Sequence, residues 1–137
     1  MDYEIFKSIP HQRVVSKQAQ AEEIFDLYQC GIFKNRSFEE NIELVELRPE
    51  SEYSPHFHKK SSAVVYVISG TGLFQLGENL IEYQPGIRID IAAGVLHGFK
   101  TKTPTLFLSI QSPPIINPEN GEIDLHYENG DKYEAKS

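Results

Sequence analysis

The chain has one cysteine, one methionine and no tryptophan in 137 residues, and only 13 Lys and Arg against 20 Asp and Glu. Each shortage excludes something. The lone Cys30 cannot close an internal disulfide, and Tyr28-Gln29-Cys30-Gly31 holds no CxxC pair, so it reads as a small buried hydrophobe rather than a redox or metal thiol. The formal charge of −7 repels phosphate backbones, and neither a basic stripe nor a Gly-rich phosphate loop is present. Nucleic acid is therefore not the expected partner. No run approaches the roughly 18 consecutive apolar residues of a membrane-crossing helix. Residues 1–7, Met-Asp-Tyr-Glu-Ile-Phe-Lys, lack the basic-then-apolar order of a secretory signal, so the expected location is the cytoplasm.

What is present is an ordinary globular composition, 39% hydrophobic and 24% charged, in a length that suits one domain. Residues 16–29 carry Ala21, Ile24, Phe25 and Tyr28 at helical spacing, with Ser16 as a cap and Gly31 as a stop. This predicts an N-terminal helix within a segment 1–40. From Asn41 onward short apolar or alternating runs are cut by Gly, Pro and Asn, the pattern of antiparallel strands. The expected strands are 42–48, 56–59, 63–68, 73–76, 80–83, 88–91, 97–100 and 105–111, with Gly77-Glu78-Asn79 closing a hairpin. The run 63–68 is apolar on both faces, which predicts burial between two layers. Residues 41–112 thus form an all-β core. Residues 113–137 follow as a terminal hairpin or arm, with Asn129-Gly130 as its turn and Tyr133 beyond it.

The most specific feature is His56-Phe57-His58 followed by Gly94-Val95-Leu96-His97. Residues two apart on a strand point to the same face, so His56 and His58 form a pair, and a β-rich barrel can bring His97 alongside. Neutral imidazole ligates Fe, Zn, Ni and, less tightly, Mn. Three protein ligands leave coordination positions open, as catalytic metal sites do. Gln75, Tyr66 and Tyr53 are the candidate supporting side chains. His11 and His126 are expected to be solvated, and Lys59 and Lys60 to lie on a solvated loop.

These residues resemble the cupin family. His56-x-His58, Ala63 and Gly70 are similar to the first cupin motif, and Gly86, Ala92-Ala93-Gly94-Val95-Leu96-His97 and Thr101 to the second. The resemblance spans about residues 41 to 112 and implies a double-stranded β-helix, a jelly-roll barrel. Its expected lining is Val65, Val67, Phe74, Phe99 and Leu108. The chain departs from the motifs at Glu50 for Gly, Ala92 for Pro, Thr101 for Asn and Ala63 for the acidic ligand. Without that carboxylate a divalent ion keeps its full double charge, so the site should favour an anionic small molecule.

The resemblance implies a metal-dependent enzyme, a dioxygenase, isomerase or lyase on a small anionic metabolite; some cupin-like dioxygenases use three histidines on iron. His56-Phe57-His58-Lys59-Lys60 also resembles the HxHKK of metal-free cupins that isomerise keto groups on nucleotide-linked sugars, which usually lack a counterpart of His97. A non-catalytic binding or sensing barrel is the third expectation. Self-association as a two-fold dimer through a sheet edge or the terminal arm is expected for any of them.

Overall fold

The computed structural model describes residues 8–16, 23–49, 51 and 53–128. Its strands run in chain order as β1 (His11–Ser16), β2 (Glu23–Lys34), β3 (Glu39–Leu47), β4 (His56–Phe57), β5 (Ser62–Ser69) and β6 (Gly72–Leu76). They continue as β7 (Asn79–Tyr83), β8 (Arg88–Ile91), β9 (His97–Thr101), β10 (Thr105–Ser112) and β11 (His126–Tyr127). Two antiparallel sheets result, one ordered β1-β2-β3-β10-β5-β8 and the other β11-β4-β9-β6-β7. Most strands turn one face to a shared interior, while Val14 of β1 and Tyr127 of β11 form a second, smaller buried cluster. Val45, Val65, Val67 and Phe107 from the first sheet pack with Phe74, Tyr83 and Phe99 from the second. Burying such side chains contributes about 1.5–3 kcal/mol each.

The expected all-β class holds, whereas the expected N-terminal helix does not. Of its span, Ser16 ends β1 and residues 23–29 begin β2; Ala21 lies outside the described residues. The spacing of Ile24, Phe25 and Tyr28 suits a helix, but these are also strand-favouring side chains. The pleat turns Phe25 and Leu27 onto the core, and β2 pairs with β1 on one edge and β3 on the other. Tertiary pairing overrides the local period. Gly31, expected to stop a helix, instead sits at φ 126° beside a bulge between Gln29 and Gly31, and Cys30 at that bulge is half-buried rather than buried.

Strand β5 corrects a second expectation. Ala63, Val65 and Val67 are buried, yet Val64 and Ile68 are half-buried and Tyr66 is exposed, so among the described residues no layer covers the outer face. The hairpin is as read: Leu76 pairs with Asn79 around Gly77 and Glu78. The C-terminal segment folds back on the barrel, through an Ile116–Ile123 bridge and the pairing of β11 with β4. Asn129, Gly130 and Tyr133 lie outside the described residues.

Candidate metal centre

Strand β4 is only two residues long, but it is held on both sides. His56 pairs directly with His97 on β9, and Tyr127 of β11 pairs with His56 from the other edge. His58 follows one residue beyond the strand. Its carbonyl accepts the Gly94 N–H at 2.7 Å, which stitches the first histidine segment to the turn that delivers His97. Gly94 holds φ 85°, a left-handed conformation that glycine adopts without strain. At Gly98 a Cβ would stand 3.2 Å from the Pro55 Cα, so the absence of a side chain lets β9 approach the His56 segment closely.

The three imidazoles converge. One ring nitrogen from each of His56, His58 and His97 lies within 4.8 Å of the other two. Ring centroids are 4.4 Å apart for His56 and His97, and 5.1 Å for His58 with either neighbour. His58 is 3% exposed and His97 5%, while His56 keeps more surface, facing a cavity. The rings are oriented by main-chain groups. His58 Nδ1–H donates to the Asp124 carbonyl at 2.6 Å and His97 Nδ1–H to the Val95 carbonyl at 2.9 Å. A carbonyl only accepts, so Nδ1 carries the proton and Nε2 of each keeps its lone pair.

Electrostatics favour the neutral rings. Burial, reinforced by His97 and His58, holds His56 well below the usual imidazole range. Burial brings His97 down to about 4, opposed by its bond to Val95. Burial also lowers His58, against the pull of the Asp124 carbonyl. Neutral imidazole is the form that ligates a metal.

The cavity beside the trio has a volume of about 160 Å³. Val65, Phe74 and Phe99 line it as expected. Val67 belongs to the core below, and Leu108 lies on the outer face, since alternation turns its neighbours Phe107 and Ser109 inward. Of the expected supporting residues, Tyr53 lines the cavity, but its hydroxyl is engaged away from the trio, donating to the Ile24 carbonyl at 2.6 Å and accepting the Arg48 N–H at 2.8 Å. Gln75 alternates with the inward Phe74 and donates to the Gly77 carbonyl at 3.3 Å, so it faces away. Tyr66 is exposed beneath the Arg88 guanidinium, whose carbon is 5.6 Å from the ring centre.

Glu23, Glu43 and Asp124 in this neighbourhood were not anticipated. Glu23 accepts the Ser54 N–H at 2.6 Å and the Tyr127 hydroxyl at 2.8 Å. Glu43 accepts from Gln111 Nε2 at 2.5 Å, Asn41 Nδ2 at 3.2 Å and Gln29 Nε2 at 3.3 Å. Burial pushes both carboxyls up, against these hydrogen bonds. Asp124 accepts N–H bonds from Lys59, Lys60 and Ser61 at 2.8, 2.8 and 3.1 Å, so it fastens the loop after His58. The alternation Glu43-x-Val45-x-Leu47 was the available signal for Glu43; Glu23 and Asp124 had none. His126 is half-buried rather than solvated, its Nε2 3.0 Å from an Asp124 oxygen and its ring 5.4 Å from Phe57. His11 is exposed and stacks on Tyr28.

Comparison with known proteins agrees with this architecture. The family described as Cupin domain matches residues 43–111. A cupin-2 domain protein from Rhodospirillum rubrum superposes with TM-score 0.64 at 14% identity, covering 78% of this chain and 71% of that one. A predicted oxalate decarboxylase from Thermotoga maritima gives 0.63 at 15%, covering 78% and 95%. An ectoine synthase from P. lautus gives 0.58 at 12%, covering 72% and 69%. Identities this low speak to the fold. No curated protein is detectably similar in sequence.

Proposed function

The chain belongs to the cupin family, and on that premise we propose that it is a metal-dependent enzyme, with one divalent ion held by His56, His58 and His97 and a small anionic metabolite as substrate. The observation that carries this reading is the approach of three imidazole nitrogens to within 4.8 Å of one another on the wall of a cavity. The residues fit the ion. Two rings have Nδ1 committed to carbonyls and burial keeps all three neutral, so lone pairs are available without proton release. Fe, Zn, Ni and Mn are compatible with an all-nitrogen set of three.

A divalent ion there would supply Lewis acidity toward a chelating enolate or carboxylate. The chain's own residues do the rest. Asp124 and Val95 fix the ring tautomers through their carbonyls. Phe74, Phe99 and Phe107 form an apolar wall that excludes water from the bound molecule. The volume of about 160 Å³ is close to the roughly 150 Å³ of an apolar cavity that holds benzene. That supports a small metabolite rather than a nucleotide-linked sugar, and the ectoine synthase shows that this fold can house an enzyme.

Elemental analysis of protein purified without a nickel column tests the reading. About one ion per chain is expected, falling to background in His58→Ala. Wild-type protein that stays metal-free after incubation with Fe(II), Zn(II), Ni(II) or Mn(II) would overturn it.

A further inference from the structure

The cavity has a second polar point, on the six-stranded sheet. Glu43, Ser109 and Gln111 line it there among Val45, Val65 and Phe107. The register explains why they meet: Glu43 pairs with Ser109, and Asn41 with Gln111, across β3 and β10. Among the described residues two carboxylates line the cavity, and they differ in what they leave open. Glu23 is buried and gives each oxygen a donor of its own, the Ser54 N–H and the Tyr127 hydroxyl. Glu43 keeps accessible surface, and its donors are three neutral side-chain amides that fill three of about four lone-pair positions. Among the described residues no cation pairs with it.

Ser109 adds an independent observation. Its oxygen accepts from Gln111 Nε2 at 3.0 Å, but among the described residues its own hydroxyl proton has no acceptor, although the residue is only 5% exposed. A buried donor without a partner is uncommon. This one lines the cavity.

We propose that Glu43 and Ser109 recognise the hydrogen-bond-donating tail, hydroxyl or ammonium, of the molecule whose other end meets the three imidazoles. The inference rests on the metal reading above and deepens it by naming the far end of the substrate. A hydroxyl would donate to Glu43 and accept the orphaned Ser109 proton. An ammonium would donate to Glu43 and neutralise its charge. A carboxylate or phosphate tail is rejected by like charge, since no cation stands beside Glu43 to offset it.

Four three-carbon hydroxamates make the test, alike at the metal-binding end and finished by methyl, hydroxyl, ammonium or carboxylate. Their binding to zinc-loaded protein of measured zinc content is followed by calorimetry. The hydroxyl and ammonium probes should bind about tenfold or more tightly than the carboxylate probe. Glu43→Gln should shrink that gap to about threefold or less, and Ser109→Ala should weaken the hydroxyl probe more than the ammonium one. A carboxylate probe that binds as tightly as the other two, or a ranking unchanged in Glu43→Gln, overturns the proposal. A metal-free arm separates this from failure of the metal reading. Propanol, propylammonium and propionate are titrated into metal-free protein while the Gln111 side-chain amide is followed by NMR. Shifts with the first two and not with propionate support the tail site even if zinc is never taken up; equal responses to all three sink it.

Discussion

The five-stranded sheet and the segment after β4 bring nitrogen lone pairs to the cavity, whereas the six-stranded sheet brings a carboxylate, an amide and a hydroxyl set among aliphatic side chains. The two walls hold their functional groups differently. On the imidazole wall the anchors are main-chain carbonyls, those of Asp124 and Val95, so the fold itself orients the rings. On the carboxylate wall the anchors are other side chains, the amides of Gln29, Asn41 and Gln111. A wall oriented by backbone keeps its geometry through most substitutions nearby, while one oriented by side chains can be retuned by a single change. The division leaves the imidazole geometry fixed by the fold and the carboxylate geometry open to change.

Breaking the support of the imidazole wall should have the largest effect. Phe74 is 0% exposed, packs edge-on to Phe99 at 4.8 Å between ring centres and lies 6.1 Å from the His97 ring. Phe74→Ala should cost about 3–5 kcal/mol in urea denaturation, through lost burial and the cavity left behind. A loss below about 1 kcal/mol would mean that the wall collapses around the gap and is not the rigid support described.

The same contrast explains how much could be read from the sequence. His56, His58 and His97 were legible because two constraints are local, a spacing of two on a strand and a glycine turn ahead of His97. The strands from β6 to β10 were legible from alternation and turn residues. Strand β2 was not, because Ile24, Phe25 and Tyr28 satisfy a helical period and a pleat alike, and only pairing with β1 and β3 decides between them. Gln75 and Tyr66 were candidates by nearness in sequence, yet alternation sends both outward. Asp124 was illegible for another reason: it meets His58 across a separation of 66 residues, and no local pattern encodes that contact.

The walls should also differ in the sign of their pH dependence. In metal-free protein His97 titrates at about 4 when folded, against about 6.5 for a free imidazole. Between those values the unfolded chain binds more protons, so stability is full above pH 6.5 and falls as pH drops toward 4, by on the order of 3 kcal/mol. Glu43 has the opposite sign. Burial raises its pKa, so above its ordinary value of 4.5 the folded state holds the proton more firmly, and stability declines as pH rises through that window. Urea midpoints measured from pH 7 to pH 4 with chelator present should show His97→Gln reducing the loss on the acid side. Glu43→Gln should steepen the net acid loss, by removing the opposing contribution. Slopes that move the same way in both variants would erase the distinction between the walls.

The smallest effect is expected where the C-terminal segment reaches the imidazole wall. Asp124 acts on His58 twice, through its carbonyl on the ring and through its carboxylate on the three N–H groups of the following loop. Asp124→Ala keeps the carbonyl and removes the carboxylate, so the loop loses its fastening while the ring keeps its acceptor. Metal affinity, read by competition with a chromophoric chelator, should fall about 10- to 100-fold, as it does when groups that orient ligands are removed. Asp124→Asn retains one accepting oxygen and should recover part of the loss. Lys59→Ala and Lys60→Ala alter only exposed side chains of the same loop and should leave affinity unchanged. If Asp124→Ala binds metal as wild type does, the imidazole wall is oriented within the barrel alone, and the C-terminal segment is packing rather than part of the site.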